Sequence, residues 1–130
     1  MDTQQKAVAE DCLKGSYESR MDFPTVLRSL VAAGFEGYLV DFRKGTTTYY
    51  LADGDSVEFE NVSTAGNVAS AFRPDTVRDN VHRSQSDGQA YKSFCENVKN
   101  AGCAGYLVSI LGKRVVYYGR TGETHVEIMP

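Results

Sequence analysis

The chain has 130 residues, of which 42% are apolar and 24% are charged, and its formal net charge at pH 7 is −3. This length fits one domain with a core of useful size, and the mildly acidic balance argues against nonspecific nucleic-acid binding. The first residues lack a signal-peptide pattern, and no apolar run is long enough to span a membrane. With three cysteines and no CxxC pair, we expect a cytoplasmic protein with free thiols.

The first predicted elements are two helices. Residues 3–14 are rich in good helix formers. Between Asp22 and Gly34, apolar residues recur at i, i+3, i+4, i+7 and i+8, which predicts an amphipathic helix. Asp22 is placed to cap this second helix, and Gly34 is placed to end it in the left-handed conformation.

Three strands are predicted next, because the period of the apolar residues changes to two after Gly37. They cover residues 37–42, 46–52 and 56–60, and the segments RKG and ADGD supply the turns between them. Gly37 is expected to make the tight turn from the second helix into the first strand.

The same pattern returns 68 residues later. AGFEGYLV at 33–40 matches AGCAGYLV at 101–108 in six of eight letters, and the tyrosine pairs at 49–50 and 117–118 also align. One inserted residue then aligns VEF at 57–59 with VEI at 126–128. Self-similarity at one spacing indicates a duplicated structural unit, so a helix starting at Pro74, a second ending before Gly102 and three more strands are predicted.

These elements predict an α+β fold in two layers, built from internally duplicated units of helix and three-stranded antiparallel meander with pseudo-twofold character. Residues 1–130 are expected to form one domain. Unit one is placed at about 3–60, a small polar linker at 61–72, and unit two at about 73–130.

Strand alternation predicts which side chains face the helices. With the inserted residue, four apolar side chains of the last strands are expected on the helix-covered face: Val57, Phe59, Val126 and Ile128. Three polar ones are expected on the other face: Glu58, His125 and Glu127. Because the inner strands are apolar on both faces, we expect the second face to be covered by a second protomer, a ligand or the linker.

Few residues carry a recognisable chemistry. The chain has no Walker loop, GxGxxG, GxSxG, HExxH or zinc-finger spacing, and it has only two histidines. His125 and Glu127 share one strand face, which suits a general base with an orienting carboxylate, a weak metal site, or a solvated polar strand. His82 lies in a predicted polar helix and is interpreted as a surface residue. No metal and no cofactor is predicted.

Two further sets of residues are candidates for ligand binding. The paired tyrosines could stack on a planar ligand, or they could simply favour strand structure. They are Tyr49, Tyr50, Tyr117 and Tyr118. Arg120, in the turn RTG, could bind a carboxylate or phosphate, or it could be an ordinary turn charge.

The stretches DFRKGTTTYY and GETHVEIMP, together with AGCAGYLV and VVYYGRTGE, resemble the YdfO/YbcV-like family of small bacterial and prophage proteins, often labelled phage envelope protein. The resemblance covers nearly the whole chain. It implies a compact α+β domain of this length, and it transfers neither an activity nor catalytic residues.

From these observations we expect a non-catalytic binding or interaction module, with a homodimer that buries the tyrosine and leucine face as its concrete form. The alternative is a small-molecule binder or acid/base enzyme that uses a cleft near His125 and Glu127. An unknown protein or small molecule is the expected partner, and neither a membrane nor a nucleic acid is.

Overall fold

The computed structural model describes residues 1–129 and contains four helices and six strands. The first half contributes α1 (Thr3–Tyr17), α2 (Phe23–Ala33), β1 (Phe35–Asp41), β2 (Thr46–Leu51) and β3 (Ser56–Glu60). The second half contributes α3 (Pro74–Ser86), α4 (Tyr91–Asn100), β4 (Cys103–Ser109), β5 (Arg114–Gly119) and β6 (Thr124–Ile128). The α+β class predicted from the sequence is therefore confirmed.

Local signals set the ends of the first two helices. Asp2 and Gln5 form a reciprocal capping box at the start of α1. At α2, the Asp22 side chain accepts a hydrogen bond from the Thr25 amide, and Gly34 takes a left-handed conformation with φ of 94°. Both end signals predicted for α2 are confirmed.

All six strands pair antiparallel in one sheet, in the order β3-β2-β1-β4-β5-β6. The central pair joins the two halves, and Leu39 of β1 lies directly opposite Leu107 of β4. On either side of this pair, Tyr38 lies opposite Val108 and Val40 lies opposite Tyr106. Each half therefore completes the other half's sheet along its inner strand.

Gly37 does not make the tight turn predicted for it, and neither does Gly105, its counterpart in the second half. Both lie inside strands, next to a register irregularity in β1 and in β4. A Cβ on Gly37 would collide with the carbonyl oxygen of Val108, and a Cβ on Gly105 would collide with that of Val40. Glycine is required here by the close approach of the two central strands.

The helices cover one face of the sheet. Alternate residues of the four inner strands are buried there, and they form the core with apolar residues of all four helices. A row of tyrosines crosses this face, with ring centroids 5.3 Å apart for Tyr38 and Tyr49 and again 5.3 Å apart for Tyr106 and Tyr117. The same aromatic pair thus recurs in each half of the core.

The side chains of β6 point to the opposite faces from those that the sequence predicted. Tyr117 pairs with His125 just as Tyr49 pairs with Val57, so the hairpins have the same register and no residue is inserted in the turn. His125 and Glu127 consequently face the helix layer, whereas Val126 faces the open side. A shift of one residue moves every side chain of a strand to the other face.

The linker at 61–72 contains no helix in the structure. It crosses from β3, at one edge of the sheet, to α3, which packs on β6 at the other edge. It is held by the backbone amide of Ala69, which donates to the Lys99 carbonyl, and by Phe72, which packs on Gly119.

Candidate functional site

His125 and Glu127 meet a third residue that sequence reasoning had placed on the surface. The Nε2 atom of His82, on α3, lies 2.9 Å from Oε1 of Glu127, and Nε2 of His125 lies 3.2 Å from the same oxygen. Oε1 of Glu127 and Nε2 of His125 are buried but lack an aligned hydrogen bond. The cluster attaches α3 to the edge strand β6 through one carboxylate between two imidazoles.

The geometry of this cluster favours attachment over catalysis. The Tyr117 ring stacks on His125 at 6.2 Å between centroids, which closes one side of the imidazole. Two surface cavities, of about 330 and 300 Å³, open elsewhere on the molecule, and His125 and Glu127 line neither. Among residues 1–129, no group of three or more His, Cys, Asp or Glu is arranged to hold a metal ion.

The four candidate tyrosines separate by face. Tyr49 and Tyr117 are buried in the core, and burial raises the pKa of both hydroxyls. A ligand could stack on these two rings only if the core opened. Tyr50 and Tyr118 lie on the open face and are partly exposed, and partial burial also raises the pKa of Tyr118.

Arg120 lines the larger of these two cavities, as part of a basic lining. The 330 Å³ cavity is bordered by Arg43, Lys99 and Arg120, together with Phe42 and the linker residues 66–68. Sequence reasoning singled out Arg120 alone, because only the tertiary fold brings the other two cations beside it.

The open face of the sheet carries a continuous row of side chains across all six strands. Direct cross-strand pairs connect its members in the order Glu58, Thr48, Leu39, Leu107, Val116 and Val126. We call the last four the apolar row. Leu107 and Val126 are 41% and 40% exposed, and Ile128, beside the row on β6, is 66% exposed. Exposed apolar surface of this kind is typical of an interaction site.

The amino-acid sequence of this fold matches a family model described as a protein of unknown function, DUF1398, over residues 13–127. The chain belongs to the DUF1398 family. No curated protein matches the chain.

The DUF1398 region starts within α1 and includes every later helix and strand except the last residue of β6. The histidine cluster, the basic cavity and the apolar row all lie within residues 13–127. In the described part of this DUF1398 protein, no helix has both the length and the apolar character needed to cross a bilayer.

Proposed function

We propose that the protein is a non-catalytic interaction module that self-associates through the open face of β1, β4, β5 and β6. The observation that carries the proposal is the apolar row, which crosses four strands without a charged side chain and is covered by no helix of residues 1–129. A second copy of the chain is the partner that fits best, because the same apolar surface is then supplied from both sides.

The polarity of β6 supports this partner. At β3, the helix side carries Val57 and Phe59 and the open side carries Glu58. At β6, His125 and Glu127 face the helices and Val126 and Ile128 face outward. An edge strand that turns its apolar side away from its own core gains free energy only when another surface covers it.

A twofold axis that runs along the row would place the apolar row of one copy on that of the other. We expect such an interface to bury more than about 1,000 Å² in total. The charged residues of the first half, Glu58 among them, would lie outside its centre, as in the polar rim of other interfaces.

The test replaces two residues of the apolar row with the residues found at the equivalent positions of the first half. Val116→Thr with Val126→Glu installs the residues that already occupy the equivalent positions, Thr48 and Glu58. Sedimentation velocity at micromolar concentrations should give a dimer for the parent and a monomer for this variant, while Glu58→Gln serves as the matched control. A monomeric parent, or a variant that dimerises as well as the parent, would overturn the proposal.

The same variant also tests the strand register. If Val126 faced the helices, a glutamate there would destabilise the fold by several kcal/mol, because an unpaired charge would be buried. We expect its denaturation midpoint to change little when parent and variant are compared at a concentration at which the parent is also monomeric.

The remaining expectations from the sequence belong to this proposal. Three free, buried cysteines support a reducing, cytoplasmic environment. The stretches that resemble YdfO/YbcV-like proteins support a bacterial or prophage origin. An acid/base or small-molecule site at His125 and Glu127 is the alternative function, favoured by the buried Oε1 of Glu127, which lies beside two imidazoles but has no aligned hydrogen bond. Loss of a bound small molecule in Glu127→Gln, but not in Arg120→Gln, would support that alternative.

A further inference from the structure

The basic cavity is assembled at one end of the sheet from segments that are far apart in sequence. In the order β1-β4-β5, the strands β1 and β5 point the same way, so the turns after them emerge at the same end. Arg43 lies in the first of these turns and Arg120 in the second. Lys99, near the end of α4, precedes the start of β4 and therefore reaches this end as well.

The cavity lining is positive and contains no carboxylate. Its charged members are Arg43, Lys99 and Arg120, and none of the three forms an ion pair within residues 1–129. The Asp41 carboxylate, which is near Arg43 in sequence, accepts hydrogen bonds from the backbone amides of Arg43 and Lys44, each at 3.0 Å. It is thus engaged in closing the turn and lies outside the lining.

Lys99 is only 6% exposed, and its ammonium group is held by neutral oxygens. It donates to the Thr64 hydroxyl at 2.7 Å, to the Gly66 carbonyl at 3.1 Å and to the Thr64 carbonyl at 3.4 Å. Glu96, one turn earlier on α4, accepts the amide of Ala65 instead. Burial of a cation is costly without an opposite charge. Since only neutral oxygens contact the Lys99 ammonium group, its positive charge in this cavity is not compensated.

We infer that this cavity binds the phosphate or carboxylate group of a small anionic molecule. Two guanidinium groups in turns supply forked donors that suit such oxyanions, and the buried ammonium group adds a fixed charge behind them. The volume of about 330 Å³ lies at the lower end of the range for small-molecule sites, roughly 300–1,000 Å³. The chain is acidic overall, so an anion is attracted to the positive lining of this cavity rather than to the surface in general.

The experiment uses a double variant that carries both Arg43→Gln and Arg120→Gln. Arg114→Gln is the matched control. Arg114 is an exposed arginine on β5 that does not line the cavity. Isothermal titration uses inorganic phosphate in one arm and acetate in the other at constant ionic strength, and thermal unfolding is followed beside it. Removal of charge-assisted hydrogen bonds should weaken binding about tenfold or more in the double variant.

The expected result is saturable binding of phosphate, acetate or both to the parent and to Arg114→Gln, with loss in the double variant. The responding anion then identifies the chemical group. Phosphate also stabilises proteins by exclusion from their surface, and that general rise in melting temperature should be equal in all three proteins. No saturable binding of either anion to the parent, or equal binding to parent and double variant, would overturn the inference.

Discussion

On the open face of the sheet, the first half presents Thr48 and Glu58 where the second half presents Val116 and Val126. On the helix face the difference is reversed, since Val57 of the first half corresponds to His125 of the second. The inner strands, by contrast, are nearly alike, with a leucine at the centre of each open face and the same tyrosine pair in the core. The two halves therefore have the same order of helices and strands, and they differ in the polarity of their outer strands.

This difference has a simple origin in the sequence. Turns of equal length precede β3 and β6, with Gly54 and Gly122 in the left-handed conformation at φ of 90° and 91°. The motif VEF starts one residue later in the second half, as VEI, relative to this turn. Because the turn fixes the register, the extra residue changes the face of every side chain that follows. A one-residue shift within a strand is thus enough to move an apolar surface from the core to the outside.

The largest expected effect is the loss of stability at alkaline pH that the buried thiols cause. One of these thiols lies in the first half and two lie in the second. Burial raises the pKa of Cys12 to about 11 and that of Cys95 and Cys103 to about 12. An unfolded thiol ionises near pH 8.5 to 9, so above this pH the unfolded chain loses protons that the folded chain retains. Stability should therefore fall with rising pH, by up to about 1.4 kcal/mol per thiol and pH unit.

Urea unfolding between pH 7 and 10 checks this prediction and apportions it between the halves. Cys95→Ala with Cys103→Ala removes both second-half thiols and should reduce the thiol-dependent slope by about two thirds. Cys12→Ala, the matched control, should reduce it by about one third. Equal slopes in all three proteins would contradict the assignment of the alkaline instability to these thiols.

The next prediction extends the apolar row into the first half. Thr48→Val with Glu58→Val should tighten self-association about tenfold, or about 1.4 kcal/mol, because two more apolar side chains join the buried surface. Analytical ultracentrifugation over a dilution series measures the change. Thr48→Ser with Glu58→Gln removes the charge without adding apolar surface, and it should leave the affinity near that of the parent. Unchanged association of the valine variant would argue against an interface along this row.

The smallest effect is expected at the histidine cluster. His82 is more than half exposed, so loss of its contact with Glu127 in His82→Ala should cost less than about 1 kcal/mol. A double-mutant cycle with Glu127→Gln isolates the coupling between the two side chains. Lys14 occupies the equivalent place on α1, and Lys14→Ala is the matched control without such a coupling to β3. Zero coupling between His82 and Glu127 would show that the contact does not attach α3 to β6.

Much of the fold could be predicted from the sequence, because its signals are local. Asp22 and Gly34 mark both ends of α2, and the change of period after Gly37 marks β1. The repeated stretch also indicates which strands should resemble each other. These signals depend on side chains within a few residues of the backbone that they organise.

The face of β6 could not be predicted in this way, because VEF and VEI are so similar that an inserted residue gives the better alignment. The turn, rather than the motif, determines the register, and its equal length in both halves is the signal that could have corrected the alignment. The meeting of His82 with Glu127, and that of Lys99 with the two turn arginines, depend on tertiary distances. No periodicity in the chain reports such contacts.

The pairing of β1 with β4 has a consequence for synthesis of the chain. During vectorial translation, β1 is complete after residue 41, but its partner starts only at Cys103. Until then β1 is an edge strand of the nascent three-stranded sheet, and its backbone hydrogen-bonding groups are unsatisfied along one side. The β4 of another chain has the same pairing edge, so from this order of strands we expect crowded nascent chains to form dimers with exchanged halves.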